Sequence, residues 1–319
     1  MGERLTDLLE VEPVARTISN VGQEPGVAAQ KMSRRSLFRK LVGFGAFAAA
    51  TGVYGREIEP FWVDWHDVPM PVRELSPAFD GFRIAHLTDL HAGSEVPLSY
   101  LRNVVDQVKR AKPDLVIVTG DLVNHALEAV GPISKLLGEI PDQTSIPVFA
   151  SLGNHDYDIT SASVHQPGMP TRIADALERE LTRRNITLLR NRAIPLDRGD
   201  GRLWFVGLED LWSGRFCPQM AFAGVTSKNP VIALSHNPDT AIELDSYGVE
   251  WTLSGHTHGG QVRIPGLGAV LLNVQNHQFE QGRFDLPKSK LYISRGVGFL
   301  KQVRVFCRPE VPTFVLRKA

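Results

Sequence analysis

The chain has 319 residues, more than one small domain needs and suited to one large α/β domain with additions. Its 35 Lys and Arg balance 35 Asp and Glu, which argues against a dedicated nucleic-acid binder, because phosphate contacts draw on a surplus of positive charge. Hydrophobic residues at 43% and charged ones at 22% exclude wholesale disorder, and two cysteines, Cys217 and Cys307, are too few for a disulfide framework or a four-thiolate zinc site.

The amino-terminal stretch 1–30 has little apolar periodicity and reads as a flexible leader. Residues 31–40 then hold Lys31, Arg34, Arg35, Arg39 and Lys40 with no acidic residue, and 41–53 is a Gly, Ala, Phe, Leu and Val run broken only by Thr51. As a helix that run spans roughly 20 Å, short of the about 30 Å hydrocarbon core of a bilayer. A basic stretch ahead of a short apolar one is the layout of an export signal. Ser33-Arg34-Arg35-Ser36-Leu37-Phe38-Arg39-Lys40 is similar to a twin-arginine translocation signal with its usual Leu and Phe exchanged. The expectation is a leader over 1–55 read by the twin-arginine translocation machinery, a connecting segment over 56–81 and a folded domain over 82–319. Ala48-Ala49-Ala50 offers small residues for cleavage. An uncleaved membrane tether, and association with the cytoplasmic face of the membrane, are the alternatives to a periplasmic or other extracytoplasmic location.

From residue 82 the pattern alternates between strand and helix. A β-like run, 82–87, ends in Thr88-Asp89-Leu90-His91; residues 98–111 carry helical apolar spacing through Leu101, Val104, Val105 and Val108. An apolar strand over 114–119 ends in Gly120-Asp121, a helix follows over 126–137, and a strand over 146–152 ends in Gly153-Asn154-His155-Asp156. After a polar loop, 157–170, a charged helix is predicted over 171–184. Strands are predicted at 187–189, 203–208, 231–235, 249–254, 270–273, 290–294 and 303–316, with a short helical signal at 238–244. Polar residues recur where strands end, which is where open α/β sheets place their sites.

Those strand ends carry the chemistry. Asp89 and His91, Asp121, Asn154, His236, and His256 with His258 are carboxylate, amide and imidazole donors without thiolate. Such a set suits Mn²⁺, Fe or Zn²⁺ better than Ca²⁺ or a structural zinc. Seven donors exceed one tetrahedral ion and suit two ions sharing a ligand. In order, Asp89-Leu90-His91, Gly120-Asp121, Gly153-Asn154-His155-Asp156, His236 and Gly255-His256-Thr257-His258 resemble the five blocks of the calcineurin-like metallophosphoesterase superfamily. With Thr88-Asp89-Leu90-His91 and Gly120-Asp121-Leu122-Val123 the likeness is to its bacterial branch of exported or membrane-associated phosphodiesterases.

The resemblance implies a four-layer αββα double-sheet sandwich over about 82–316, where alternation alone suggests a single doubly wound sheet. It implies that Asp89, His91 and His258 hold one divalent ion, that Asn154, His236 and His256 hold a second, and that Asp121 bridges them. Mn²⁺ is favoured over Fe and Zn²⁺. It further implies hydrolysis of phosphodiester or pyrophosphate bonds by a metal-bridging hydroxide, with His155 as general acid and Asp156 orienting it. A UDP-2,3-diacylglucosamine-type pyrophosphatase of lipid metabolism is the alternative; a catalytically silent metal-binding scaffold, or a nuclease, is a weaker one, and no specific nucleic-acid partner is expected.

Outside the blocks, His86 has the opposite strand parity to Asp89 and reads as a core histidine. His125 and His165 divide between substrate contact and surface; His66 and His277 read as surface. Arg215, Arg295 and Lys301 are read as solvated charges that an anionic substrate would otherwise use. Trp212 and Phe216 are expected to pack on the sandwich edge, the alternative being an apolar lip for a lipid-linked substrate. Cys217 and Cys307 read as ordinary buried thiols, and Gly259-Gly260 as a tight turn beside the metals.

Overall fold

The computed structural model describes residues 34–160, 171–226 and 228–319. The chain divides into two compact units, Met1–Phe47 and Ala48–Ala319. The helix α1 (Arg34–Val53) has no acidic residue in its first turn and no basic one in its last. Among the described residues no helix is long and apolar enough to cross a membrane. The leader up to Ser33, and His165, lie outside the described residues.

Past α1 the elements run β1 (Asp64–Val72), β2 (Arg83–Leu87), α2 (Leu98–Ala111), β3 (Leu115–Thr119), α3 (Val130–Thr144), β4 (Val148–Ser151), α4 (Arg172–Thr182) and β5 (Ile186–Leu188). Then come β6 (Arg192–Arg198), β7 (Gly201–Gly207), α5 (Pro218–Ala221), β8 (Val231–Leu234), α6 (Ala241–Leu244) and β9 (Trp251–Ser254). The short hairpin β10 (Arg263–Ile264) and β11 (Gly268–Ala269), then β12 (Gly282–Asp285), β13 (Lys290–Ile293) and β14 (Glu310–Lys318) complete the order. Two six-stranded mixed sheets result, one ordered β1-β14-β2-β3-β4-β5 and the other β12-β13-β9-β8-β7-β6.

Side-chain alternation sets the layers. Ile84, Leu115, Ile117 and Phe149 of the first sheet pack between the sheets against Phe205, Ile232, Leu234, Trp251 and Leu253 of the second. Their strand neighbours Ala85, Leu87, Val116 and Val118 face outward under Leu101, Val104, Val108, Ile133 and Leu177 of α2, α3 and α4. Val206, Val231 and Ala233 face the other way, under Ala221 and Leu244 of α5 and α6. Strands covered on both faces read as unbroken apolar runs, and β3 is buried at all five positions. This is the four-layer α/β sandwich that the resemblance implied.

Several boundaries differ from the sequence reading. The connecting segment over 56–81 is not a mere linker: it supplies β1, an edge strand paired in parallel with β14. Pro69 and Pro71 hide it, because proline argues against a strand except at a sheet edge, and an edge is where β1 lies. The strand predicted over 270–273 is irregular, the one over 303–316 begins only at Glu310, and the edge strands β6 and β12 were missed.

Candidate metal centre

The carboxyl ends of β2, β3 and β4 from one sheet and of β8 and β9 from the other meet at one edge of the sandwich. They deliver Asp89, His91, Asp121, Asn154, His236, His256 and His258, all buried. Five of these, Asp89, His91, Asp121, His256 and His258, have φ between 47° and 72°. Side chains rarely adopt this left-handed region, and such strain collects at functional sites. Gly255 is required just before His256: a Cβ there would collide with the Asp89 carboxylate and the Thr88 hydroxyl. Gly259 and Gly260, at φ 60° and 80°, make the tight turn that the sequence suggested.

His258 Nε2 lies 3.2 Å from Asp89 Oδ1, and His91 Nε2 lies 2.9 Å from His258 Nε2 and 3.5 Å from Asp121 Oδ2. On the other side His236 Nε2 lies 3.1 Å from Asp121 Oδ2, and His256 Nδ1 lies 2.9 Å from Asn154 Oδ1. Asp89, His91 and His258 form one group of ligand atoms of metal-binding size, and Asp89, Asp121 and His236 another. Asp121 thus faces both histidine sets, as a bridging carboxylate would.

The hydrogen bonds behind these atoms test whether a cation fits. His236 Nδ1 faces the Thr119 carbonyl at 2.7 Å, so it carries the proton and leaves Nε2 as a lone pair aimed at a carboxylate. His256 Nε2 faces the Asn273 carbonyl at 2.9 Å, so Nδ1 is the lone pair. The Asn154 amide donates to the Ile159 carbonyl at 2.6 Å, turning its oxygen toward that lone pair. Acceptor therefore meets acceptor at both places, and His236 Nε2 is buried without a hydrogen-bond partner. The donor set fits a divalent cation, and outer hydrogen bonds of this kind orient metal-binding histidines. Burial opposes protonation of His236, but Asp121, Asp89 and Asp210 outweigh it and push its pKa up to about 10, so these carboxylates draw positive charge, as a proton or as a metal ion, to Nε2. Burial likewise acts to raise Asp89, yet His258, His91 and His236 hold it below the usual carboxylate range.

His155 is half-buried beside these donors, its ring 4.7 Å from that of His91 and edge-on to it. Its Nδ1 bonds the Asn124 side-chain oxygen at 2.9 Å, and its backbone amide donates to Asp121 Oδ1 at 2.9 Å. Asp156 does not orient this ring. Its carboxylate accepts the backbone amides of Leu122, Val123 and Gly153, clamping the loops after β3 and β4 together. Burial pushes His155 down to about 3 and Asp156 up to about 8. Asn124 is thus a site residue that sequence reasoning missed; its place shortly after the Gly-Asp block was the available signal.

Other residues sort by contact. His86 is a core histidine bonded to the Thr119 hydroxyl at 2.7 Å. The His125 ring lies 4.0 Å from that of His155, with Nδ1 2.9 Å from the Asp158 carboxylate. Trp212 packs edge-on against His256 at 4.5 Å and is buried, while Phe216 packs beneath the second sheet, so neither forms a lip. Arg295 is not a solvated charge: it pairs with Glu310 and Asp64 at 2.6 and 2.8 Å. His66 is half-buried against the Tyr292 hydroxyl, whereas Arg215 and His277 are exposed. Lys301 is exposed and lies 3.2 Å from Glu95. Both cysteines are free, Cys307 buried and Cys217 half-buried.

Comparison with known proteins agrees with this geometry. Residues 82–260 match the family model described as calcineurin-like phosphoesterase, and the chain belongs to that family of metal-dependent phosphoester hydrolases. It is similar to the metallophosphoesterase YkuE of Bacillus subtilis, at 29% identity over 90% of this chain and 99% of the relative. It is also similar to the phosphodiesterase YaeI of Escherichia coli, at 32% identity over 88% and 97%. The UDP-2,3-diacylglucosamine pyrophosphatase LpxG of Chlamydia muridarum matches at 27% identity over 85% and 94%.

Proposed function

We propose that the chain hydrolyses phosphodiester or pyrophosphate bonds with two divalent ions, Mn²⁺ favoured. Asp89, His91 and His258 would hold one, Asn154, His236 and His256 the other, and Asp121 both. The observation that carries this reading is the convergence of seven buried donors, from two sheets, with lone pairs facing one another. When bound, such ions supply Lewis acidity toward phosphoryl oxygens and lower the pKa of water toward about 7. His155 acts as general acid toward the leaving oxygen. Asn124 keeps the proton on Nδ1, so Nε2 is free to hold and give the second one. A bound phosphate anion favours that imidazolium against the burial that disfavours it.

A nucleotide-linked lipid pyrophosphate is a second reading. It is favoured by the cleft of about 620 Å³ beside the donors, whose lining includes Val262, Val270, Leu271, Leu300 and Val303. A silent scaffold is the weaker reading, since seven buried donors and His155 lie together. The basic run Arg34-Arg35, read as a twin-arginine signal, supports export through the translocation machinery to an extracytoplasmic or membrane-tethered location. Lysine at both positions is expected to block export, and unchanged export would discard that route.

The test of activity uses the full chain and bis(p-nitrophenyl) phosphate, before and after chelation and with Mn²⁺ restored. Hydrolysis that disappears with chelator and returns with metal is expected. Turnover indifferent to chelator would sink the reading.

A further inference from the structure

Among the described residues of the Ala48–Ala319 unit, eight of the thirteen large exposed apolar side chains fall in three segments: Ile58 and Trp62; Ile264, Leu267, Val270 and Leu271; and Leu300 and Phe306. Leu267, Leu271 and Phe306 are 80%, 79% and 65% exposed. Hydrogen bonds lace the segments into one rim. The Arg304 amide donates to the Gly55 carbonyl at 2.8 Å and the Gln302 side chain to the Arg56 carbonyl at 3.0 Å. The Val305 amide donates to the Gln261 carbonyl, and the Arg263 amide to the Val305 carbonyl, both at 2.9 Å. The Leu300 amide donates to Gln261 Oε1 at 2.8 Å.

The rim borders the cleft beside the metal centre. Leu271 and Leu300 belong to both, and the same cleft reaches Asp121, His155, His256 and His258. Exposed apolar patches of this kind mark interaction sites.

We infer that this rim docks on the surface of a lipid bilayer and brings the cleft mouth onto the headgroups. The cleft then takes the apolar part of an amphiphilic phosphoester; that second half rests on the proposed phosphoesterase activity. Two features select a bilayer over a protein partner. A protein seated on the rim would crowd the cleft that the rim borders, whereas a bilayer supplies substrate to it. Leu267 and Phe306 project from a two-stranded hairpin and a loop, a shape suited to entering the headgroup boundary.

The test measures cosedimentation of the full chain with vesicles of phosphatidylethanolamine and phosphatidylglycerol, in chelator so that turnover plays no part. The double variant Leu267→Glu, Phe306→Glu keeps α1, the cleft lining and the metal donors. Its partition onto vesicles is expected to fall at least about tenfold, with hydrolysis of soluble bis(p-nitrophenyl) phosphate unchanged. Leu267→Trp with Phe306→Trp is expected to keep partition at or above the parent level. Unchanged partition of the Glu variant would overturn the inference, as would a parent chain that ignores vesicles or uses the rim to bind a second copy or another protein. A chain that docks but hydrolyses nothing would overturn the enzymatic reading and leave docking intact.

Discussion

The two sheets contribute to the centre unequally. The first supplies the oxygen donors Asp89, Asp121 and Asn154 together with His91 and the catalytic candidate His155, whereas the second supplies only imidazoles, His236, His256 and His258. The carboxylates are fixed by backbone: His256 N donates to Asp89, and His155 N to Asp121. Two of the second sheet's histidines, His236 and His256, are fixed by their rings, through the Thr119 and Asn273 carbonyls. Charge is therefore set on one side and direction on the other, and the Thr119 carbonyl reaching His236 couples the two. A change in the first sheet should remove affinity for metal, while a change behind the second should misdirect ligands still present.

The sharpest way to break this contrast is Asp121→Ala, which removes the carboxylate facing both histidine sets. Activity is expected to fall by about 10³-fold or more, with metal content by elemental analysis falling alongside. His155→Ala comes next: a loss of about 10²–10⁴-fold on substrates with poor leaving groups, far less with p-nitrophenolate, and metal retained. Full activity on poor leaving groups would remove His155 from its role. Metal removal should cost stability, about 2.7 kcal/mol if the ion is present at a hundred times its Kd, read as a lower Tm in chelator. Asn124→Ala should cost about tenfold on the same poor leaving groups, because it frees the ring without deleting it. Smallest is Arg215→Ala, on the exposed surface, with stability within about 0.5 kcal/mol and an unchanged rate.

The donors were legible in the sequence because each follows an apolar run that must be a buried strand, and period-two parity told His86 from Asp89 and His91. What stayed hidden depends on contacts between distant loops. Asn124 reaches His155 from the loop after another strand, and the Asn273 carbonyl, in a stretch that sequence reads as a strand, fixes the tautomer of His256. Asp156 misled because adjacency to His155 suggested a side-chain bond, whereas its geometry spends the carboxylate on three backbone amides. β1 was hidden by its own prolines, which edge position alone tolerates. Arg295 looked free because its partners Asp64 and Glu310 lie on β1 and β14, which pair only once the sheet is closed.

The insertion of β14 between β1 and β2 carries a consequence for how the molecule is made. Its partners in the sheet come from the other end of the folded unit, so closing it costs loop entropy that local helices do not pay. Synthesis proceeds from the amino end, and the edge strand β1 has no partner in this sheet until residues 310–318 exist, although β2 to β5 can already pair. The amides of Val297 and Gly298, which fasten the carbonyls of Thr88 and Asp89, emerge only shortly before them. The strained turn that aims Asp89 is therefore secured only after residues 297–298 exist, about two hundred residues of synthesis after Asp89 itself.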